Sequence, residues 1–216
     1  MSASDKSASP AADARQGAQR EAESLLGDFR ALLQQVGSPG PFWETPVDAP
    51  LALGNFLENY LTRLLLPWEL PAIAAACGHA RRGELRELLA QDDHLAPSLM
   101  ATPFGEPSQR MGRLHLARLR PLRDDRIVQR YLAAVDAGQA HGWHTLVYGV
   151  TLAVYSLPLR QGLLFYSHEI LSALSSAAAR SKNFSAEEID QILSASLARV
   201  RAVVETVLAG EPLAGV

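Results

Sequence analysis

Apolar side chains recur three and four residues apart along most of this chain, and this spacing restricts its fold more than any other feature. The clearest stripes lie in residues 25–36, 53–65 and 189–207. A period of 3.6 residues places such positions on one face of an α-helix, and no stretch alternates as a strand would. Single-striped helices bury their apolar faces against each other. The sequence therefore predicts an all-α fold, one compact domain of about seven to nine helices over residues 19–210.

Several residues indicate where helices begin and end. Pro67 follows the second stripe and predicts its end, and Gly83 predicts a break between two short helices. Ser185 and Glu188 have the spacing of a capping box in front of the last stripe. The four prolines within residues 38–50 predict a loop.

Composition limits the class of protein. The formal charge of −3 gives no overall electrostatic reason to expect nucleic acid or an acidic membrane as a partner. Residues 1–18 lack apolar periodicity and predict a disordered tail, and residues 211–216 are expected to be a short C-terminal tail. The N-terminus has no apolar signal segment, so we expect a cytoplasmic protein. The apolar stretch 143–159 is short for a membrane span and is interpreted as a buried core helix.

Few residues have a spacing that suggests chemistry. His141 and His144 have the i, i+3 spacing that places two imidazoles on one helical face, which allows either a metal site or a half-buried structural role; the structural role is favoured. His168 and Glu169 are interpreted as an exposed polar edge. The lone Cys77 lies in an alanine-rich run, which does not favour a catalytic thiol. We therefore expect no catalytic residue, no metal ligand and no cofactor.

The basic stretch RMGRLHLARLRPLRDDR, residues 110–126, allows a phosphate- or nucleic-acid-binding surface. Asp124 and Asp125 lie within it, and no aromatic residue is interleaved, so a solvated face with structural ion pairs is the favoured interpretation. No phosphate-binding glycine loop is present, which makes nucleotide hydrolysis by the chain itself an unfavoured hypothesis.

Residues 172–180, SALSSAAAR, are small side chains followed by one arginine. Missing side-chain volume allows another helix to approach closely, so we expect close helix packing here. Arg180 either caps its own helix or faces a partner.

Four segments together resemble the UreF family of urease accessory proteins, and the resemblance extends loosely over residues 28 to about 195. SALSSAAAR resembles the family's S-x-x-x-SAA-x-R segment, and EPSQRMGR, residues 106–113, resembles its E-x-S-x-QxGR segment. His144 with the following Val147, Tyr148 and Gly149, and LLQQVGSPGPF near the N-terminus, are similar to two further family segments. WETPVDAP and SKNFSAEE stand where the family has GGFSxSxGLE and a PLGQ-containing turn, so residues 42–50 and 181–188 depart from it.

The resemblance implies an all-helical, non-enzymatic protein that forms a homodimer. It implies binding to a nickel-carrying GTPase and to a second accessory protein, and through that complex to the urease apoprotein, during nickel insertion. Arg113 and Arg180 are expected to order a partner-binding surface, by capping a helix or by binding a carboxylate of a partner. Residues expected to support the structure are His144, Tyr148, Gly149 and Ser176.

Two alternatives remain open at this point. One is an all-α small-molecule enzyme or haem-binding protein whose pocket is lined by His141, His144, Tyr148 and Glu169. The other is a UreF-like scaffold that serves another metalloenzyme.

Overall fold

The structure is a computed structural model that describes residues 50–101, 104–181 and 185–209. For residues 177–181 it describes the backbone only. All regular secondary structure in these ranges is helical, which confirms the predicted all-α fold. The predicted tails, the stripe of residues 25–36 and residues 38–49 lie outside the described residues.

The described part of the chain forms eight α-helices and one π-helical segment. In chain order they are α1 (Pro50–Tyr60), the π-helical segment (Leu61–Glu69), α2 (Leu70–Arg82), α3 (Leu85–Met100), α4 (Gly105–Arg118), α5 (Arg126–Asp136), α6 (His144–Val154), α7 (Leu159–Ser181) and α8 (Ala186–Ala209).

Helices α2 and α6 pack against each other and separate two apolar cores. One core joins them to α1, the π-helical segment, α7 and α8, and it contains Ile73 of α2 and Leu152 of α6. The other joins them to α3, α4 and α5, and it contains Ala76 of α2 and Val147 of α6. Because nine consecutive residues of α6, from His144 to Leu152, are buried, this stretch is the core helix that the sequence predicts.

Gly149 permits the close contact between α2 and α6. A Cβ atom at this position would lie 2.5 Å from the carbonyl oxygen of Ile73 and 2.8 Å from Cβ of Ala76. Both distances are shorter than van der Waals contact, so only glycine fits unless the helices move apart.

The prediction that a helix ends at Pro67 is wrong, because the chain continues through this residue in π-helical form. The N–H of Leu70 donates to the carbonyl of Leu65, five residues earlier. Proline has no N–H to contribute, and its ring would clash with the carbonyl four residues earlier in an α-helix. The wider π-helical turn accommodates both effects.

Two other predicted boundaries are confirmed. Gly83 ends α2 in the left-handed region, with φ of 70°. The N–H of Glu188 donates to Oγ of Ser185 over 3.2 Å, and the N–H of Ser185 donates to the Glu188 carboxylate over 3.0 Å. These are the two reciprocal bonds of a capping box in front of α8.

None of the helices in the described ranges is long and apolar enough to cross a membrane.

Candidate functional site

Residues His141–His144, which we call the 141–144 segment, join α5 to α6 and are held by one buried carboxylate on α3. The Asp92 side chain accepts the backbone N–H of His141 over 2.6 Å and that of Gly142 over 3.0 Å. The backbone carbonyl of Asp92 accepts the indole N–H of Trp143 over 2.8 Å. A single residue of α3 therefore fixes three consecutive residues of the segment.

Tyr131 of α5 completes the set of hydrogen-bond donors to this carboxylate. Its hydroxyl donates to Asp92 over 2.6 Å, and both side chains are fully buried. A buried carboxylate is costly unless hydrogen bonds replace its water, and three donors do so here. Burial, and then the charge of Asp92, raises the pKa of Tyr131 well above its ordinary value. The tyrosine stays a neutral donor over the whole physiological range.

The EPSQRMGR residues of α4 contact the same segment from the opposite side. Oγ of Ser108 accepts the N–H of His144 over 3.2 Å, and the Gln109 amide lies 3.0 Å from Nδ1 of His141. A Cβ atom on Gly112 would lie 1.9 Å from the carbonyl oxygen of Gly142. The polar and glycine positions of this motif thus hold the 141–144 segment against α4.

Arg113, the last residue of that motif, has an exposed side chain beside the segment. A Cβ atom on Gly142 would lie 3.7 Å from Cγ of Arg113, so the aliphatic part of the arginine side chain lies close to the segment. Among the described residues the guanidinium of Arg113 makes no ion pair. The other predicted surface residue, Arg180, is part of helix α7, but the structure does not describe its side chain.

A second buried polar group, which we call the Glu69 cluster, consists of Tyr60, Glu69, His144, Tyr148 and Tyr166. The hydroxyl of Tyr60 donates to Oε2 of Glu69 over 2.8 Å, and that of Tyr166 donates to the same oxygen over 3.3 Å. The ring of Tyr166 stacks on His144 with centroids 5.7 Å apart and contacts Tyr148 at 5.1 Å. Tyr148 in turn donates to the carbonyl of Gly162 over 3.0 Å.

Burial shifts the protonation of this cluster toward neutral forms. It raises the pKa of Glu69 to about 7, although the two tyrosine hydrogen bonds act in the opposite direction. Burial also raises the pKa of Tyr60 and Tyr166 well above the ordinary value and lowers the pKa of His144 well below it. Glu69 is thus the member of the cluster whose charge changes near neutral pH.

His115 of α4 lies between the Glu69 cluster and the EPSQRMGR residues. Its ring is 5.8 Å from that of His144, centroid to centroid, and its Nε2 is 3.2 Å from Oγ of Thr151. The Thr151 hydroxyl donates to the carbonyl of Val147, so Nε2 of His115 carries the hydrogen that the hydroxyl accepts. Burial lowers the pKa of His115 to about 4.

The predicted shared helical face of His141 and His144 is wrong. Gly142, with φ of 72°, separates the two histidines just before α6 begins. His141 stacks on Trp143 with centroids 4.9 Å apart, whereas His144 is buried in the Glu69 cluster. In the described part of the chain, no three His, Cys, Asp or Glu side chains are grouped so that they could hold a metal ion.

The four residues considered above as a pocket lining are brought together only in part, because Tyr148 neighbours both His144 and Glu169, but His141 lies apart. Burial, and then the charge of Glu169, raises the pKa of Tyr148. His144 and Tyr148 are neighbours, with ring centroids 6.1 Å apart, but His141 lies with Gln109 at the edge of the 141–144 segment. The prediction that His168 and Glu169 form an exposed polar edge is wrong for Glu169, which is buried and lies 3.1 Å through Oε1 from Nδ1 of the exposed His168.

The small residues of α7 have mixed environments. Ser175 is buried and donates to the carbonyl of Leu171 over 2.8 Å. Ser176 is exposed, so it does not support the structure by packing in a core. Glycines at which a Cβ atom would approach a neighbour within 3.0 Å lie outside this stretch, at positions 105, 112, 149 and 162. Residues 177–180 have no described side chains.

Asp92 and Glu69, the buried carboxylates on which the two polar groups depend, were not predicted from the sequence. The signal was present in each case. Asp92 occupies the apolar stripe of α3, four residues after Leu88 and three before Leu95, both of which are buried. An acid on the buried face of a helix indicates a carboxylate with dedicated hydrogen-bond donors.

The fold and this site define an all-helical protein whose polar motif residues hold its own backbone in place. The UreF family model matches residues 47–197, which is more than half of the chain, and the chain belongs to the UreF family. The resemblance found in the sequence is therefore confirmed, and with it a role as a urease accessory protein. No curated protein matches the chain.

Proposed function

We propose that this protein is a non-enzymatic scaffold that binds a nickel-carrying GTPase and a second accessory protein while nickel is inserted into urease. The observation that supports this proposal is the fixed 141–144 segment with Arg113 exposed beside it. The motif residues Ser108, Gln109 and Gly112 are used to position backbone. Arg113 of the same motif is left available for a partner.

A guanidinium on a fixed platform suits recognition of a carboxylate. Arginine presents a rigid planar fork that binds a carboxylate through two parallel hydrogen bonds. Because Asp92 and Gly112 already fix the segment, binding would order little additional backbone, and the entropy cost of association would be lower.

The test is affinity purification of the tagged protein from cells that express a complete urease operon. We expect both the GTPase and the second accessory protein to co-purify with the wild-type chain. R113E should reduce the recovered partners by at least about tenfold, as expected for a lost charged contact of about 1.4 kcal/mol or more. R86E is the matched control, because Arg86 on α3 is also exposed and forms no ion pair in the described ranges.

Two outcomes contradict the proposal at different levels. Recovery of neither partner by the wild-type chain would overturn the functional proposal and leave the fold unaffected. Equal recovery by R113E and wild type, with R86E also unchanged, would overturn only the role of Arg113. Circular dichroism of both variants shows whether they remain folded.

We also propose that the protein is a cytoplasmic homodimer. Light scattering after size exclusion should then give twice the 23.3 kDa mass of one chain. A mass of one chain at micromolar concentration would contradict the dimer. Fractionation of the cells used for purification tests the location.

A UreF-type scaffold for another metalloenzyme is the second candidate, favoured by the altered sequences at residues 42–50 and 181–188. Deletion of the gene distinguishes the clients: loss of urease activity, restored by added nickel or by the wild-type gene, supports urease. A visible absorption band or stoichiometric metal in the purified protein would instead support the small-molecule or haem-binding alternative.

A further inference from the structure

The Glu69 carboxyl group lies where three helical elements meet. Glu69 is the last residue of the π-helical segment, Tyr60 is the last residue of α1, and Tyr166 lies in the middle of α7. Oε2 of Glu69 accepts hydrogen bonds from both hydroxyls, over 2.8 Å and 3.3 Å. One oxygen atom therefore joins elements separated by 97 positions in sequence.

In the described part of the chain, this carboxyl group has no compensating positive charge. Among the described residues, no lysine or arginine bonds to Glu69. The facing titratable groups are Tyr60 from α1, Tyr166 from α7, and Tyr148 and His144 from α6 behind Tyr166. A further acidic group, the buried carboxyl group of Glu169 on α7, lies close enough to Tyr148 to raise its pKa beyond the effect of burial.

The two protonation states of Glu69 have different consequences at this junction. A neutral carboxyl group still accepts both hydroxyls through its carbonyl oxygen, so protonation keeps the contacts and removes the buried charge. An ionised group keeps the contacts but bears a charge that two phenol donors stabilise only in part. If the π-helical segment moves away from α1 and α7, water can reach the carboxylate and stabilise its charge. Ionisation of Glu69 therefore favours this movement.

The element that bears Glu69 is suited to such a movement. Its nine residues, which include Pro67, form a π-helix, in which hydrogen bonds join residues five positions apart. This form is rare and is often found at functional sites. Trp68, next to Glu69, is already 40 % exposed. The segment that bears Glu69 thus combines an unusual helical form with a partly exposed residue next to the buried carboxylate.

We propose that Glu69 acts as a proton-operated latch that holds the π-helical segment against α1 and α7 when protonated and releases it when ionised. Because the pKa of Glu69 is raised to about 7, the change falls near neutral pH. The latch regulates the conformation next to Trp68 and goes beyond the proposed scaffold function. It does not depend on that function.

The test is hydrogen exchange of the intact protein, followed by mass spectrometry at pH 6.0 and pH 8.5 and corrected for intrinsic exchange. Protection of residues 61–69 in the wild type should fall about tenfold between these conditions, while residues 85–100 of α3 keep their protection. E69Q is a neutral isostere and should abolish the fall. E205Q, which removes an exposed carboxylate paired with Arg160, is the matched control and should behave as the wild type.

A second measurement keeps the test decisive if E69Q does not fold. Carbon-13 NMR of glutamate-labelled wild-type protein should show one carboxyl resonance that titrates near pH 7, and Y166F should shift this resonance. The latch is overturned if every glutamate titrates below about pH 5. It is also overturned if protection of residues 61–69 is the same at both pH values, or falls equally in E69Q.

Discussion

Gly112 of α4 and Gly142 of the 141–144 segment are in direct backbone contact, so that a Cβ atom on Gly112 would lie 1.9 Å from the carbonyl oxygen of Gly142. Such an atom would also lie 2.7 Å from the backbone nitrogen of His144. Neither neighbour is the end of a flexible side chain. The glycine of the EPSQRMGR motif is thus explained by packing between two pieces of main chain.

G112A should therefore lower the free energy of unfolding by about 3 kcal/mol, because an added methyl group forces backbone to move in a close-packed interior. Urea unfolding measured by circular dichroism gives this value. G54A is the control, since nothing lies within 4 Å of a Cβ atom on Gly54 in α1, and alanine there should stabilise by up to about 1 kcal/mol. Equal effects of the two substitutions would contradict the assignment.

D92N should destabilise the protein by about 2–4 kcal/mol. The asparagine amide would place N–H donors against N–H and O–H donors that now point at a carboxylate, and buried donors without acceptors are costly. Y131F removes only one of these donors and should cost about 1 kcal/mol. Urea unfolding followed by circular dichroism compares the two. If D92N were as stable as Y131F, the carboxylate would not be the main restraint on the segment.

Glu69 should make a contribution to stability that decreases as pH rises. Its pKa in the folded protein is about 7 and its ordinary value is 4.5, so the folded state holds the proton more tightly. The contribution is complete below pH 4.5 and is lost through pH 7, a change of about 3 kcal/mol at 1.36 kcal/mol per pKa unit.

The effect of His115 on the free energy of unfolding has the opposite dependence on pH. The effect of Glu69 must therefore be measured by comparing the wild type with a Glu69 variant. The pKa of His115 is lowered from 6.5 to about 4, so its contribution is lost as pH falls from 6.5 to 4. The unfolding free energy of wild type minus that of E69Q isolates Glu69 and should fall by about 3 kcal/mol between pH 4.5 and pH 8. A difference that is constant with pH would show that Glu69 titrates normally.

S185A should weaken the start of α8 and lower the unfolding free energy by about 1 kcal/mol, because it removes the acceptor of the Glu188 N–H. Ser176, which is exposed on α7, provides the control variant S176A, expected to lie within about 0.5 kcal/mol of the wild type. Chemical unfolding at one pH measures both. Indistinguishable midpoints for the two variants would argue against the cap.

Features that depend on local sequence were predictable. Helical periodicity identifies the elements, Gly83 identifies a helix end, and Ser185 with Glu188 identifies a helix start, because each effect acts within a few residues. The helix through Pro67 was predicted incorrectly. The usual rule treats proline as a stop, and the sequence alone does not reveal that a wider turn removes the clash.

The polar sites were less predictable because their partners are distant in sequence. Asp92 bonds to residues 39 to 51 positions away, and Glu69 bonds to Tyr166 across 97 positions. Their position on apolar stripes reveals burial, but the identity of the donors requires the fold. The prediction about the histidine pair was wrong for another reason. The spacing of His141 and His144 places them on one face only within a helix, and here the helix begins at His144, after Gly142.

The α2–α6 pair has a further consequence for how the protein unfolds. Since each of the two cores uses one side of this pair, separation at Gly149 would expose apolar surface in both at once. Neither core would then keep all the helices that enclose it. The described helices should therefore melt in a single concerted transition, and a fragment that ends before α6 should fail to form even the core built by α3, α4 and α5.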